Sequence, residues 1–410
     1  MNIFKINILA FVLGLNSIFV SHSNGITLRS QTLTVNGQSI ELKVPSGLKV
    51  EFLAALSSPR FLSLGPNEEI IIGSAGNHIF RLKEPYTVPE ILVSLPGINH
   101  SVIYREGQLF VAETAGLYTA AYSGSDTSLD ASDFKLYVRL PSATGGHWSR
   151  TVIVGPDNRL YISIGISGNC SDEYLDESYP FERRRGGVFV VDETVNPPQI
   201  IPYASGLRNP IGIAFNPETS MLYASNAGPD NLGYSQPPEV FSALSDHSFH
   251  GMPWFQYYND AFRSGECATS PAPRPSSEAT PPSATFEARS TPQGITFVTN
   301  TFLSDYFDGN ALVAIHGSWA VAPGGGPETR RPPKIVMVKF FDGQPIDVED
   351  IVTGFQRSDG SRFARPSGML MGPDGQLYFT SDAGSVTGLF RLGPTSKGIN
   401  IAPIYELLLH

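Results

Sequence analysis

The 410-residue chain reads as an all-β protein built from one repeated unit. Three observations predict this. No stretch of a dozen residues carries a clean 3.6-residue apolar period, so long amphipathic helices are not expected. Gly (40) and Pro (33) are both abundant, which favours many turns. One phrase recurs six times: a tight Gly/Pro/Asn/Asp turn, then a short alternating strand that ends in small or polar residues.

The six copies begin at Leu64, Tyr104, Val154, Phe215, Tyr306 and Met371. Turns of this chemistry join antiparallel strands. The copies are loosely spaced, from about 40 to about 90 residues apart. A propeller blade needs roughly 40–50 residues, so the excess belongs to loops. The longest inserts are 169–187 and 263–284, and the second is rich in Pro and Ser. The expected fold is a six-bladed β-propeller of four-stranded antiparallel blades, over about residues 25–392 of a single domain (24–410). A β-sandwich is the competing reading, and repetition over this length disfavours it. Residues 33–44 read as a hairpin around Asn36-Gly37 that closes the ring or covers an edge. The tail from Gly393 to His410 is too short for a further domain.

The N-terminus has a small basic region at Lys5, an apolar run from Ile6 to Val20, and small residues in "VSHS". This is the pattern of a cleaved secretory signal peptide over residues 1–23, and it predicts a secreted or periplasmic protein with no membrane contact after cleavage. The net charge of −10 argues against a nucleic-acid partner. Cys170 and Cys267 can pair in an oxidising compartment or stand as two thiols, and spacing does not decide between them. "NHS" at Asn99 and "NCS" at Asn169 fit the glycosylation sequon.

Just upstream of each turn sits a cationic, imidazole or amide side chain: Arg60, His100, His147, Arg208, Gln293 and Arg365. Equivalent positions of a propeller converge near its axis at one end, so these six are expected to line one pocket. Arginines there favour an anionic ligand through bidentate hydrogen bonds to carboxylates, and His147 can serve as a general base. The structural alternative is that each side chain braces a loop.

At these residues the sequence resembles the soluble pyrroloquinoline-quinone (PQQ) dependent sugar dehydrogenases, in particular the glucose/sorbosone dehydrogenase-like branch. The motifs that carry the resemblance are "GGHWSRTVIVGPDNRLYISIG", "YASGLRNPIGIAFNPETSMLYASNAGPDNLG", "HGMPW", "GNALVAIHGSW" and "ARPSGMLMGPDGQLYFTSDAG". Together they span nearly the whole mature chain. The resemblance implies a PQQ- and calcium-dependent oxidation of a sugar or related aldehyde/hemiacetal, with an external electron acceptor. It makes His147 the catalytic base. It places Arg208 near the quinone oxygens as a catalytic and cofactor residue, beside Asn209. Arg365 pairs with a PQQ carboxylate, and His316 and Arg331 join the cofactor site. The backbone carbonyls of Gly228 and Pro229 hold the calcium.

The sequence departs from that pattern at several positions. Ile166 stands where an acidic residue orients the histidine in the glucose enzymes, so another group must orient His147. Ile211 replaces a glutamine of those enzymes. Ala320 and Val321 replace Asn-Arg, with Arg330, Arg331 and Lys334 as nearby substitutes. Two other functions compete. Ile166, Ala320 and Val321 favour a non-catalytic extracellular propeller that binds a carbohydrate or protein. Glu113, Asn226 and Asp382 at strand ends suit a calcium-dependent lactonase. No GxGxxG follows a strand, so NAD is not expected.

Overall fold

Each repeated phrase forms the turn and the second strand of one blade. The computed structural model describes residues 25–142, 146–264, 267–268 and 270–395. The expected signal peptide and the residues beyond 395 lie outside them.

Six innermost strands ring the axis: Pro59–Leu64, Asn99–Arg105, Arg150–Val154, Pro210–Phe215, Pro292–Phe297 and Pro366–Met371. Each begins an antiparallel sheet, here blades 1 to 6 in chain order. The inner strands approach closely, and glycine makes this possible. A Cβ on Gly212 would lie 1.9 Å from the Gln293 carbonyl oxygen, and one on Gly368 would lie 2.3 Å from that of Arg60. The second strands are apolar and buried along their whole length, as in Ile70–Ser74, Leu222–Asn226 and Ala311–Ile315. Blades stack face to face, so both faces of these strands are covered, and alternation is seen instead in the two hairpin strands Leu28–Val35 and Gln38–Pro45.

Strand Leu48–Ala55 pairs antiparallel with Gly388–Pro394, so a strand from the start of the chain completes blade 6. Joining the two ends of the chain in one blade closes the ring and leaves no open seam. The expected hairpin forms from Leu28–Val35 and Gln38–Pro45. Its two turn residues, Asn36 (φ 50°) and Gly37 (φ 76°), take the positive dihedrals of a tight hairpin turn. Its inward residues Leu33, Val35, Leu42 and Val44 join the core beside Phe307, Phe355 and Phe363. It therefore covers the outer side of blades 5 and 6, while the next strand closes the ring.

Blade 3 departs from the four-strand expectation. Ser248–Phe249, from the long insert of blade 4, adds a short parallel fifth strand to its outer edge. The same insert carries Cys267, which is disulfide-bonded to Cys170. The two longest inserts are thus tied together. The Asn99 sequon is buried, and its side-chain amide donates to the carbonyls of Gly76 and Leu95 (both 3.2 Å).

Candidate functional site at one mouth of the ring

Strand polarity gathers the chemistry. Each inner strand starts where its second strand ends: Pro59 pairs with Ser74, Asn99 with Glu113, Arg150 with Ile164, Pro210 with Asn226, Pro292 with Ile315 and Pro366 with Ser381. The side chains upstream of the inner strands and those just after the second strands therefore meet at one mouth.

His147 lies in the loop before the blade 3 inner strand. Its Nδ1 stands 2.6 Å from the Ile166 carbonyl oxygen. A carbonyl only accepts, so Nδ1 carries the proton and Nε2 presents a lone pair. The group that orients the ring is thus the backbone of Ile166, the residue whose side chain cannot do so. The amide of Ile166 donates to the Arg208 carbonyl at 2.8 Å. One peptide segment therefore links His147 to Arg208. Two buried arginines fix the loop. Arg150 Nη1 donates to the His147 carbonyl (3.0 Å), and so does Arg185 Nη2 (2.8 Å). Gly165 keeps the space: a Cβ there would meet Asn209 Oδ1 at 2.6 Å and His147 Cβ at 2.7 Å. Burial, together with the charge of Arg208, lowers the His147 pKa to about 3, so the ring is neutral.

Arg208 is buried and held by Asn169. Its Nε donates to the Asn169 carbonyl (3.1 Å) and its Nη2 to Asn169 Oδ1 (2.9 Å). Asn169 Oδ1 also accepts from the Asp230 amide at 2.8 Å. Sequence reasoning saw Asn169 only as a sequon. Its position beside Cys170, in the insert that reaches this mouth, was the available signal. The Asn209 amide donates to Asn226 Oδ1 at 2.8 Å.

Blades 5, 6 and 1 supply a buried polar network. His316 Nε2 is 2.6 Å from Asp382 Oδ1, and Arg60 Nη1 is 3.0 Å from Asp382 Oδ2. Arg60 Nη1 also donates to Gln293 Oε1 (3.2 Å), which accepts from Ser367 Oγ (2.7 Å). Burial raises the Asp382 pKa, but His316 and Arg60 outweigh it and hold the carboxyl well below the usual range. Arg60 lies over the Trp148 ring at 4.8 Å, which joins this network to the His147 loop. His100 packs under Phe61 and Trp148, and neither ring nitrogen has a hydrogen-bond partner among the described residues. Arg60, His100 and Gln293 are buried, as are Arg208 and Arg365, so of the expected ring only His147 is partly exposed.

Arg365 donates from Nε to the His316 carbonyl (2.9 Å) and from Nη2 to the Gly317 carbonyl (2.7 Å). Its Nη1 has no hydrogen-bond acceptor among the described residues. Arg365, Arg362 and Arg330 all lie over the exposed Trp319, at 4.6, 5.1 and 5.6 Å from the ring centroid. Arg362 Nη1 is buried without a hydrogen-bond partner among the described residues. Burial and then the Arg362 charge lower the Arg365 pKa to about 9. Arg362 was not anticipated. Arg331 sits apart from this cluster. It pairs with Glu287 at 3.0 Å and lies 4.2 Å over Tyr234, so Arg330 is the nearby substitute that reaches Trp319. Lys334 pairs with Asp350 at 2.8 Å.

These observations test the implied cofactor groups. Crowded cations with unmatched N–H donors fit the carboxylates of PQQ. Calcium fits poorly. It seeks six to eight oxygens, yet the Pro229 carbonyl accepts from the Arg289 guanidinium. No cluster of three His, Cys, Asp or Glu side chains suited to a metal occurs among the described residues. At the Gly228–Pro229 turn the Pro229 carbonyl already accepts from a buried cation, which is why the turn suits calcium poorly as folded. The lactonase set is not assembled either. Asp382 bonds His316 and Arg60, Asn226 accepts from Asn209, and Glu113 accepts from the Ala115 amide at 2.7 Å. Ala320 and Val321, where larger side chains were implied, line an open cavity of about 410 Å³ with Asp230, Gly233, Tyr234 and Arg289.

Comparison with known proteins agrees with this architecture. No family model matches the chain. An uncharacterized protein of Borreliella burgdorferi is 23% identical over 400 residues, covering 90% of this chain and 96% of that protein. Among solved structures, a Trichoderma reesei carbohydrate-active enzyme of family AA12 is 19% identical with a TM-score of 0.71, covering 86% of this chain and 97% of its own. The PQQ domain of a Coprinopsis cinerea pyranose dehydrogenase, in its holo form, is 18% identical with a TM-score of 0.68, at 86% and 97% coverage. A PQQ-bound aldose sugar dehydrogenase of Streptomyces coelicolor is 15% identical with a TM-score of 0.56, at 85% and 99% coverage. At these identities the likeness shows a shared fold.

Proposed function

We propose that the protein is an exported oxidoreductase that binds PQQ at this mouth and oxidises a sugar or related aldehyde/hemiacetal, passing electrons to an external acceptor. The observation that carries the reading is His147. It is a neutral imidazole with its tautomer fixed, its Nε2 free, and a buried arginine beside it. Solved propellers of the same fold that hold PQQ support the choice of cofactor. The Cys170–Cys267 bond supports export to an oxidising compartment.

PQQ, when bound, supplies a two-electron acceptor for hydride from the carbon that bears the reacting hydroxyl. His147 Nε2 takes the hydroxyl proton, and its half-buried ring returns that proton to solvent. Arg208, Asn209 and Arg365 would hold the anionic and carbonyl oxygens of the cofactor, with His316 presenting a carbonyl that already receives Arg365. Burial is the first cause of the low His147 pKa and the Arg208 charge the second, and a ligand anion beside Arg208 would offset the second. The test is to load purified protein with PQQ, follow the quinone absorbance, and assay dye reduction on a panel of aldoses. Binding with sugar-dependent turnover is expected. Binding without turnover on any sugar or aldehyde would refute the catalytic assignment, and no binding would return the mouth to a non-catalytic anion or carbohydrate site.

A further inference from the structure

We infer that Arg289 is the resident cation of this mouth: its guanidinium takes the place of a divalent metal on the Pro229 carbonyl, and ligand binding needs no calcium. The inference rests on the PQQ reading above and concerns how that ligand is held.

Arg289 is built into its position. It is 5% exposed. Nη1 donates to the Pro229 carbonyl and to Asp230 Oδ1 (3.0 Å). Nε donates to the Gly233 carbonyl at 2.9 Å, and Nη2 to the Gly233 and Gln236 carbonyls. A divalent cation on the Pro229 carbonyl would share that oxygen with the guanidinium and be repelled by it. The backbone is committed as well. Arg289 has φ 70°, a left-handed conformation that a non-glycine residue keeps only when its surroundings fix it. Glu239 does the fixing. Its Oε1 accepts the Arg289 amide at 2.8 Å and its Oε2 accepts the Gly228 amide. One buried carboxylate thus clamps the Gly228–Pro229 turn and the arginine together.

The arrangement also offers an anion position. Asp230 lies 3.0 Å from Arg289 and 3.6 Å from Arg208, and its side chain is 67% exposed. A solvent-exposed carboxylate bridging two buried arginines is readily displaced by a ligand oxyanion that makes the same two contacts. Arg289 also lines the open cavity of about 410 Å³, which gives such a ligand access.

Two measurements on the whole protein test this. In the first, chelator-washed protein is titrated with calcium chloride by calorimetry, and its Tm is read in EDTA and in millimolar calcium. No binding heat and a Tm unchanged within about 1 °C are expected. A saturable calcium isotherm with a rise in Tm overturns the inference. In the second, PQQ is titrated in EDTA and in calcium into wild type, Arg289→Met and Arg289→Lys. Wild type should bind equally in both, Arg289→Met should weaken binding by about tenfold or more, and Arg289→Lys by less. PQQ binding that requires calcium, or Arg289→Met that folds and binds as wild type in EDTA, overturns the inference. If PQQ binds under neither condition, the functional reading has failed, and the calcium titration alone decides whether this turn takes a metal.

Discussion

Two histidines of the mouth are held in different ways. His147 donates Nδ1–H to a backbone carbonyl, that of Ile166, at 2.6 Å. His316 donates Nε2–H to the buried Asp382 carboxylate, also at 2.6 Å. Both rings are kept neutral, with pKa values lowered chiefly by burial to about 3 and about 4. The difference lies in charge. The carbonyl sets the His147 tautomer without adding charge, and the ring keeps a free Nε2 and partial solvent contact. Asp382 ties His316 to Arg60, so its negative charge is already balanced within a closed network. A proton added to His316 would leave a cationic excess beside Arg365. On the proposed function the carbonyl-held histidine is the one that exchanges a proton, and the carboxylate-held one is a brace.

The largest expected effect breaks the comparison at its first member. His147→Ala should lower sugar-dependent dye reduction by about 10²–10⁴-fold while PQQ binding and Tm stay near wild type. Equal activity of the variant would remove His147 from the reaction. The second member should respond in stability. Asp382→Asn leaves Arg60 buried without its counter-charge, and breaking a buried pair in this way costs about 3–5 kcal/mol. Chemical denaturation should show that loss, with a smaller effect on turnover of the folded fraction.

A third variant sharpens the point about Ile166. Its side chain is fully buried, and a Cβ built on Gly186 would lie 2.6 Å from Ile166 Cγ2. The side chain packs by Gly186 while the carbonyl faces His147. Ile166→Asp therefore places a carboxylate in the core and none at the imidazole. It should cost about 3 kcal/mol of stability and leave kcat unimproved. A rise in kcat would show that the carboxylate reaches the ring.

The same contrast explains what was legible in the sequence. The propeller was readable because one turn-and-strand phrase fell at the same place in six blades. His147, Arg208 and Arg365 were readable because they share a slot in that repeat. The support of His147 was not, since a backbone carbonyl leaves no residue-type signature, and the substitution to Ile166 suggested a missing partner. Asn169 and Arg289 were hidden for a different reason. Asn169 sits in the long insert of blade 3, which has no counterpart in the other blades, and Arg289 stands three residues before the blade 5 inner strand, where the repeat drew attention to Gln293 instead. Asp382 was noticed as a strand-end acid, but its partners His316 and Arg60 lie on other blades, and spacing alone suggested a metal.

Acidification should act on both histidines together. His100, His147, His250 and His316 all have pKa values lowered in the folded protein, His250 to about 4, with burial the first cause in each. In the unfolded chain each takes up a proton near pH 6.5. The unfolded state therefore binds more protons below that pH, and stability falls as pH drops, by about 1.4 kcal/mol per unit for each fully shifted histidine. Denaturation at pH 7, 6 and 5 should show the loss, and His316→Gln should reduce the slope. The acid limb of kcat/KM should lie well below pH 6.5. A limb near 6.5 would place an ordinary histidine, and not this depressed one, in the rate.

The smallest expected effect separates position from charge on the His147 side. Asn169 holds Arg208 through Oδ1 at 2.9 Å and through its own carbonyl at 3.1 Å. Asn169→Ala removes the first bond and keeps the second. Arg208 stays buried and charged but gains freedom to lean on Asp230, already 3.6 Å away. Losing one hydrogen bond to a charged group should weaken PQQ binding by about tenfold with kcat nearly unchanged. Asn169→Asp keeps the acceptor but adds a negative charge against Arg208. If Asn169 acts by position alone, the Asp variant should bind PQQ as wild type does. If the net charge of Arg208 is what receives the ligand, the Asp variant should bind more weakly than the Ala variant. It should also raise the pKa of His147, because the Arg208 charge, which adds to burial in lowering it, is then offset. That shift should appear as an acid limb of kcat/KM at higher pH than in wild type, a readout that a merely structural role for Asn169 would leave unmoved.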